Sequence, residues 1–316
     1  MPIVFITGAT GFIGQALCIE MLKSGWRVRG GFRNESLPGC LPHGVEGVNI
    51  GSIENCNLQL KNFAGVDVVI HLAARVHCVR EDATNALDAF HRVNTLGTQS
   101  LAQVAAKAGV KRFVFISSIK VNGEGSLQPY TENDIPDPQD AYGISKRKAE
   151  DALMHIAAET GLQAVILRLP LVYGPEVRAN FKNLVKMSGM GLPLPFKGIN
   201  NRRSFIYLSN LTDAIVTCAS HPLAAGETFL VSDGQDVSMS DLIKMIAYAM
   251  GKKATLFSVH HSILKVLCRI IGKDKELEKL IGSLLVDSSK IRNLLGWKPP
   301  FTLEEGIRET VKDFKL

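Results

Sequence analysis

Over its first 170 residues the chain alternates short, mostly apolar and β-branched runs with longer segments whose apolar positions recur every three or four residues. The short runs fall at 3–7, 27–31, 66–72, 112–117 and 163–169. Runs of that kind, with little in–out alternation, belong to strands of a parallel sheet covered on both faces. The longer segments at 12–24, 90–108 and 142–160 read as helices. Each is closed by a glycine, at 25, 109 or 161, the residue that most easily turns the chain after a last helical turn. The repeated order strand, helix, strand predicts an α/β fold built on a doubly wound parallel sheet. After Gly174-Pro175 the rhythm changes to Pro- and Gly-punctuated segments around 189–198, followed by helical patterns in 238–250 and 261–285. We therefore expect a sheet domain over 1–172, with 203–233 returning to it, and a smaller C-terminal lobe over most of 173–316.

Composition narrows the classes without choosing among them. At 316 residues, 46% hydrophobic and 21% charged, the chain is neither disordered nor fibrous. The excess of 36 basic over 30 acidic residues, a net +6, is scattered, with no basic run longer than Lys146-Arg147-Lys148. Such a surface suits a small anionic substrate better than a nucleic-acid groove. Six cysteines, at 18, 40, 56, 78, 218 and 268, include no C-x-x-C and no pair at ligand spacing from a histidine. Neither a metal site nor a disulfide framework is expected, and the thiols read as reduced in a cytoplasmic protein. The chain opens without a basic leader and has no run of 18 apolar residues, so neither secretion nor a transmembrane segment is expected.

The first strand runs into Thr7-Gly8-Ala9-Thr10-Gly11-Phe12-Ile13-Gly14, which opens a helix. A glycine pattern alone is weak, but a strand-to-helix turn of this kind leaves room for a pyrophosphate at the helix N-terminus. Gly8, Thr10, Gly11, Phe12, Ile13 and Gly14 are therefore the expected cofactor-binding turn of a Rossmann-type dinucleotide domain. The second strand continues as Val28-Arg29-Gly30-Gly31-Phe32-Arg33-Asn34, without the acid that would hold the ribose hydroxyls of NAD. Arg33, and less directly Arg29, match a 2′-phosphate instead. NADP(H) is favoured on that ground, with NAD(H) as the alternative.

Tyr142 and Lys146 stand four residues apart on the third helix, so both project from one face. A phenol is a poor base near neutrality, and a neighbouring cation favours its ionised form. Ser117-Ser118, at the end of the strand 112–117, adds a hydroxyl where open α/β sheets collect ligands. His71 reads as a packed residue rather than a ligand.

These motifs together resemble the extended short-chain dehydrogenase/reductases of the nucleotide-sugar epimerase/dehydratase type. The resemblance is carried by T-G-A-T-G-F-I-G at 7–14, H-L-A-A at 71–74, V-N-T-L-G-T at 93–98, S-S at 117–118, Y-G-I-S-K at 142–146, L-R-L-P-L-V-Y-G-P at 167–175 and L-G-W-K-P at 295–299. It implies that Tyr142 transfers the proton, that Lys146 holds the nicotinamide ribose and lowers the tyrosine pKa, and that Ser118 is the third catalytic residue. It places Leu72, Ala73, Ala74, Asn94 and Pro170 around the cofactor. It also places Asn180 and Arg203 with Ser118 on the substrate, a nucleotide-diphosphate sugar with uridine as the default nucleotide. The 4,6-dehydratases of the family carry an Asp-Glu pair after the active-site Ser or Thr. Here Ile119 and Lys120 stand there, which argues against dehydration.

Hydride transfer at the sugar C4 remains. One form is an NADPH-dependent 4-ketoreductase of surface-polysaccharide sugar synthesis, which Arg33 favours. The other is a UDP-hexose 4-epimerase with tightly bound NAD. A non-catalytic NADP-binding redox sensor is a third reading, opposed by the presence of both Tyr142 and Lys146. The amphipathic segment beyond 261 reads as lobe core or a homodimer contact, with a membrane-surface helix as the alternative.

Overall fold

The computed structural model describes residues 1–33, 39, 41–55, 59–76, 83–259 and 281–314. In chain order, the sheet side comprises β1 (Ile3–Thr7), α1 (Phe12–Lys23), β2 (Arg27–Phe32), β3 (Glu46–Asn49), β4 (Val68–His71) and α2 (Ala83–Phe90). A π-helical turn (His91–Leu96), α3 (Gly97–Lys107), β5 (Arg112–Ser118), α4 (Ala141–Thr160) and β6 (Gln163–Leu169) follow. Then come β7 (Leu171–Tyr173), α5 (Ala179–Gly189), β8 (Phe205–Tyr207), α6 (Leu208–Ser220), β9 (Thr228–Leu230), α7 (Met239–Ala249), α8 (Ser289–Leu295) and α9 (Leu303–Val311).

Seven strands form one parallel sheet in the order β3-β2-β1-β4-β5-β6-β9. The chain winds outward from β1 in one direction and then returns to continue from β4 in the other. This leaves a crevice beyond the carboxyl ends of β1 and β4, where such sheets bind ligands. Side chains alternate between faces along each strand. Val4 and Ile6 pack with Leu17 and Met21 of α1 and with Leu211 and Ile215 of α6, while Phe5 packs with Leu101 of α3 and Leu153 of α4. Both faces are covered, which is why the strands read as apolar runs. Each fully buried Phe or Ile contributes about 1.5–3 kcal/mol through its burial.

The smaller lobe is built on β7 and β8, paired in parallel, with α5, α7 and α9 packed around Tyr173, Phe181, Phe205, Tyr207 and Ile243. Of the stretch expected to return to the sheet, α6 covers one face and β9 supplies an edge strand.

Several details differ from the sequence reading. β3 was not expected, because its residues are mostly exposed and polar; backbone pairing to β2 alone makes it an edge strand. The helix expected over 90–108 begins earlier, at Ala83, and is interrupted by the π-helical turn. Ile291, Leu295 and Trp297, numbered within the C-terminal lobe, pack into the core under the sheet. The helical patterns expected in 261–285 lie mostly outside the described residues. Among the described residues no helix is long and apolar enough to cross a membrane.

Candidate active site

The turn after β1 brings backbone close to backbone. A Cβ on Gly14 would stand 2.1 Å from Gly8 O, so only glycine lets α1 start there. Gly11 N donates to Gly8 O at 2.9 Å, and the first turn of α1 has neither a side-chain cap nor an acidic residue. Uncapped N–H groups and the positive end of the helix dipole suit a pyrophosphate. Phe12 packs into the core of the smaller lobe and Ile13 into the core under the sheet, so both anchor the turn. The carbonyl of Thr10 accepts from Gln15 Nε2 at 3.2 Å.

Beside this turn runs the segment after β4. Leu72 N donates to Thr7 O at 3.3 Å, and Ala73 N donates to Thr7 Oγ1 at 3.3 Å. Ala74 follows, half-buried. Thr98 Oγ1 gives its proton to Asn94 O at 2.6 Å and so accepts from His71 Nε2 at 3.0 Å. His71 Nδ1 then accepts from Thr7 Oγ1 at 2.6 Å. The buried chain runs in one direction at each arm, which fixes His71 as the neutral Nε2–H form. Burial, helped by the charge of Lys146, lowers its pKa to about 3.

The two serines ending β5 serve different faces. Ser117 Oγ donates to Glu150 Oε1 at 2.5 Å, whereas Ser118 Oγ accepts from Lys120 N at 3.3 Å and faces Tyr142, whose pKa it lowers. Position along the strand therefore puts Ser118 with the tyrosine. Tyr142 lies in the first turn of α4, whose N-cap is Asp140, accepting from Gly143 N at 2.7 Å. The glycine after the tyrosine has a spatial reason: a Cβ there would come 2.8 Å from Lys120 O.

One turn further, Lys146 Nζ donates to Ile116 O at 2.8 Å and lies 4.5 Å from the Phe115 ring centroid. The expected lowering of the tyrosine pKa by Lys146 is not what governs the site. Burial first, and the charge of Asp140 second, push Tyr142 up to about 12, against a lowering by the Ser118 hydrogen bond. Burial brings Lys146 down to about 7, with Glu150 opposing it. Desolvation outweighs the mutual effect of the pair because both side chains lie inside the protein.

The chain as a whole has known counterparts. The NAD dependent epimerase/dehydratase family matches residues 4–232. The UDP-glucose 4-epimerase of Vibrio cholerae is 41% identical over 98% of this chain and 95% of its own length. The chain belongs to the NAD dependent epimerase/dehydratase family. It is also 25% identical, over 99% of its length and 97% of the relative's, to the dTDP-4-dehydro-6-deoxyglucose reductase of Escherichia coli. The UDP-glucuronic acid 4-epimerase of Bacillus cereus, solved in complex with NAD, superposes with a TM-score of 0.79 at 25% identity, covering 98% and 95% of the two chains. As a member of the epimerase/dehydratase family the protein is an oxidoreductase of the nucleotide-sugar type.

Other expected site residues are placed as follows. Asn94 is buried in the π-helical turn. Its Oδ1 accepts from Arg75 N at 2.8 Å, and its Nδ2 donates to Arg75 O at 3.0 Å and to Ser145 Oγ at 2.9 Å. Its side chain is thus engaged in holding the loop after β4 against α4. Pro170 is buried between β6 and β7. Arg33 is exposed just past β2. Arg29 is not available to a 2′-phosphate: it binds Glu46 Oε2 at 3.1 Å and Ala64 O at 2.8 Å. Arg203 lies in the smaller lobe, where its backbone pairs with Val237 and its Nη1 donates to Gly282 O at 3.0 Å. Asn180 sits in the first turn of α5, and its side chain lies outside the described ones.

Two groups escaped the sequence reading. Lys120 Nζ pairs with Glu124 Oε1 at 2.9 Å and with the Asp140 carboxylate. Glu150 is held by Arg168, Nε to Oε1 at 3.0 Å and Nη2 to Oε2 at 2.6 Å. The signal for Glu150 was its position eight residues after Tyr142, on the same helix face. Among the described residues no group of His, Cys, Asp or Glu is arranged to hold a metal.

Proposed function

We propose that the enzyme moves a hydride at C4 of a UDP-hexose and acts as a 4-epimerase. The observation that carries this reading is that Ser118 faces Tyr142 at the carboxyl end of β5, on the same edge of the parallel sheet as the uncapped turn of α1. The positions at which a dehydratase would carry acid and base are not available for elimination. Ile119 is buried, and Lys120 is tied to Asp140 and Glu124. The 41% identity to a UDP-glucose 4-epimerase across nearly the whole chain supports the same reaction.

A bound NAD(P) would supply the hydride acceptor and donor, lying on the α1 N-terminus with Lys146 toward its ribose. Ser118 and Tyr142 converge on the C4 oxygen. Tyr142 removes the hydroxyl proton as the sugar is oxidised and returns it when the keto-sugar, turned over in the site, is reduced on its other face. With its pKa up at about 12, the phenol rests protonated, ready to donate; removing a proton needs the positive charge of Lys146 and the oxidised cofactor. Arg203 and Asn180 take the diphosphate, where a cation and an amide suit two phosphates.

A second reading, the NADPH-dependent 4-ketoreductase, is favoured by one observation. β2 has the sequence Arg-Val-Arg-Gly-Gly-Phe, without an acid, and Arg33 stands exposed just beyond it. The experiment is to release and identify the dinucleotide that copurifies, and to assay UDP-glucose and UDP-N-acetylglucosamine for conversion to their C4 epimers. Retained NAD with interconversion is the expected result. Dinucleotide-free protein that consumes NADPH only with a 4-keto-sugar would replace the epimerase with the reductase.

A further inference from the structure

Glu150 is a carboxylate only 2% exposed, in a place where the proton transfer described above makes no use of it. Tyr142, Lys146 and Glu150 are spaced at four-residue intervals along α4 and so share one face. We propose that Glu150 is the counter-ion that keeps the buried Lys146 a cation, and that Arg168 and Ser117 hold it in that role. The proposal rests on the reading of Lys146 as the positive charge of the site.

Among the described residues, Glu150 is the one negative group that acts on Lys146. From α4 it meets the uncharged phenol of Tyr142 and Glu150. From β5 it meets the ring of Phe115 and the carbonyl of Ile116. From β4 comes His71, which feels the charge of Lys146 and is neutral by its hydrogen bonds to Thr7 and Thr98. A buried ammonium in that setting loses its proton readily, and Glu150 is the group that opposes the loss.

Glu150 is in turn held in place from the sheet. Arg168 reaches it from β6 with two N–H groups, and Ser117, directly opposite Arg168 in the β5–β6 register, adds a hydroxyl donor. Arg147 lies 3.9 Å from Oε2 on the helix side. Asn122 Oδ1 accepts from Arg168 Nη1 at 3.0 Å and holds the guanidinium from a third nitrogen. Bidentate, charge-assisted bonds of this kind fix the place and orientation of a carboxylate. The sheet thus supplies the groups that hold Glu150, and the helix carries the charge to Lys146.

The test is an NMR titration of the full chain labelled with 13C at lysine Cε, the Lys146 signal being the one absent from Lys146→Met. It needs neither substrate nor dinucleotide, so it can fail independently of the proposed reaction. In the wild type the amine is expected to titrate near 7. The variant Glu150→Gln/Arg168→Met replaces a buried ion pair with neutral side chains of similar length, an exchange that buried pairs often tolerate. Its Lys146 midpoint is expected to fall by at least one pH unit, a tenfold weaker hold on the proton. The alkaline limb of turnover should move down with it. Glu150→Gln alone, which leaves Arg168 unneutralised, is expected to shift the midpoint further. An unmoved midpoint in either folded variant overturns the proposal, and so does a wild-type amine that is already neutral at pH 5.

Discussion

Asn94 donates to Ser145 Oγ at 2.9 Å, joining the π-helical turn to the helix that carries Tyr142 and Lys146. Ser145 Oγ passes the contact on, donating to Tyr142 O at 2.8 Å. The other bonds of Asn94 go to the backbone of Arg75, so one side chain sets the distance between the loop after β4 and the tyrosine. π-helical turns of this kind are often found at functional sites, where they redirect a side chain.

Asn94→Leu keeps the volume and removes these bonds, leaving the Arg75 N–H and Ser145 without the amide. Each buried group left unpaired costs about 1–3 kcal/mol, and a misplaced tyrosine loses rate beyond that. Turnover is expected to fall tenfold or more, with a measurable drop in the thermal midpoint. Unchanged turnover in a folded variant would show that the clamp does not set Tyr142.

Tyr142→Phe removes the proton donor and keeps the ring against Phe90, whose centroid lies 6.0 Å away. Turnover is expected to fall by about 100-fold or more, the size usual for a positioned acid/base group, while the dinucleotide still binds. Ser118→Ala should lower turnover by less, since one donor to the C4 oxygen remains. Single-turnover measurements on a nucleotide sugar, with dinucleotide fluorescence for binding, check both.

His71 makes the fold sensitive to acid. Its pKa is about 3 in the folded chain against 6.5 for an ordinary histidine, so between those values the unfolded chain binds a proton that the folded chain does not. Stability therefore falls as the pH drops from about 6.5 toward 3, by on the order of 4 kcal/mol over the whole window. His71→Leu should be less stable than the wild type at pH 7.5, because Thr7 and Thr98 lose a partner. It should nevertheless lose less stability than the wild type between pH 6.5 and 4.5. Denaturant unfolding at the two pH values decides it, and parallel losses would contradict the buried neutral imidazole.

Arg33→Asp tests the dinucleotide preference. If Arg33 faces a 2′-phosphate, NADPH affinity should fall at least tenfold, about 1.4 kcal/mol, while NADH affinity holds or improves. Arg29→Ala, by contrast, should alter stability through its lost bonds to Glu46 and Ala64 without changing the NADPH to NADH ratio. A wild type that binds NADH as well as NADPH removes Arg33 from the argument and leaves the epimerase as the better reading.

The sequence by itself determined the layers and the chemistry that local rules govern. Strands buried on both faces must read as apolar runs, so β1, β5 and β6 were legible to within a residue or so. A turn in which a Cβ on Gly14 would collide with Gly8 O must write glycine, and a tyrosine and lysine on one helix face must be four apart. The edge strand β3 left no such trace, because it is made by backbone pairing and places few side chains in the core. The resemblance already names Ser118 rather than Ser117. The tertiary structure adds that the two present different faces, Ser117 to Glu150 and Ser118 toward Tyr142. It separated Arg29, tied to Glu46, from the exposed Arg33. It also decided the protonation of the site. The pKa values of Tyr142 and Lys146 follow from how completely the sheet and helices exclude water, with Asp140 acting on the tyrosine and Glu150 on the lysine; Glu150 is itself held by Arg168, 18 residues away in the chain and 2.6 Å away in space.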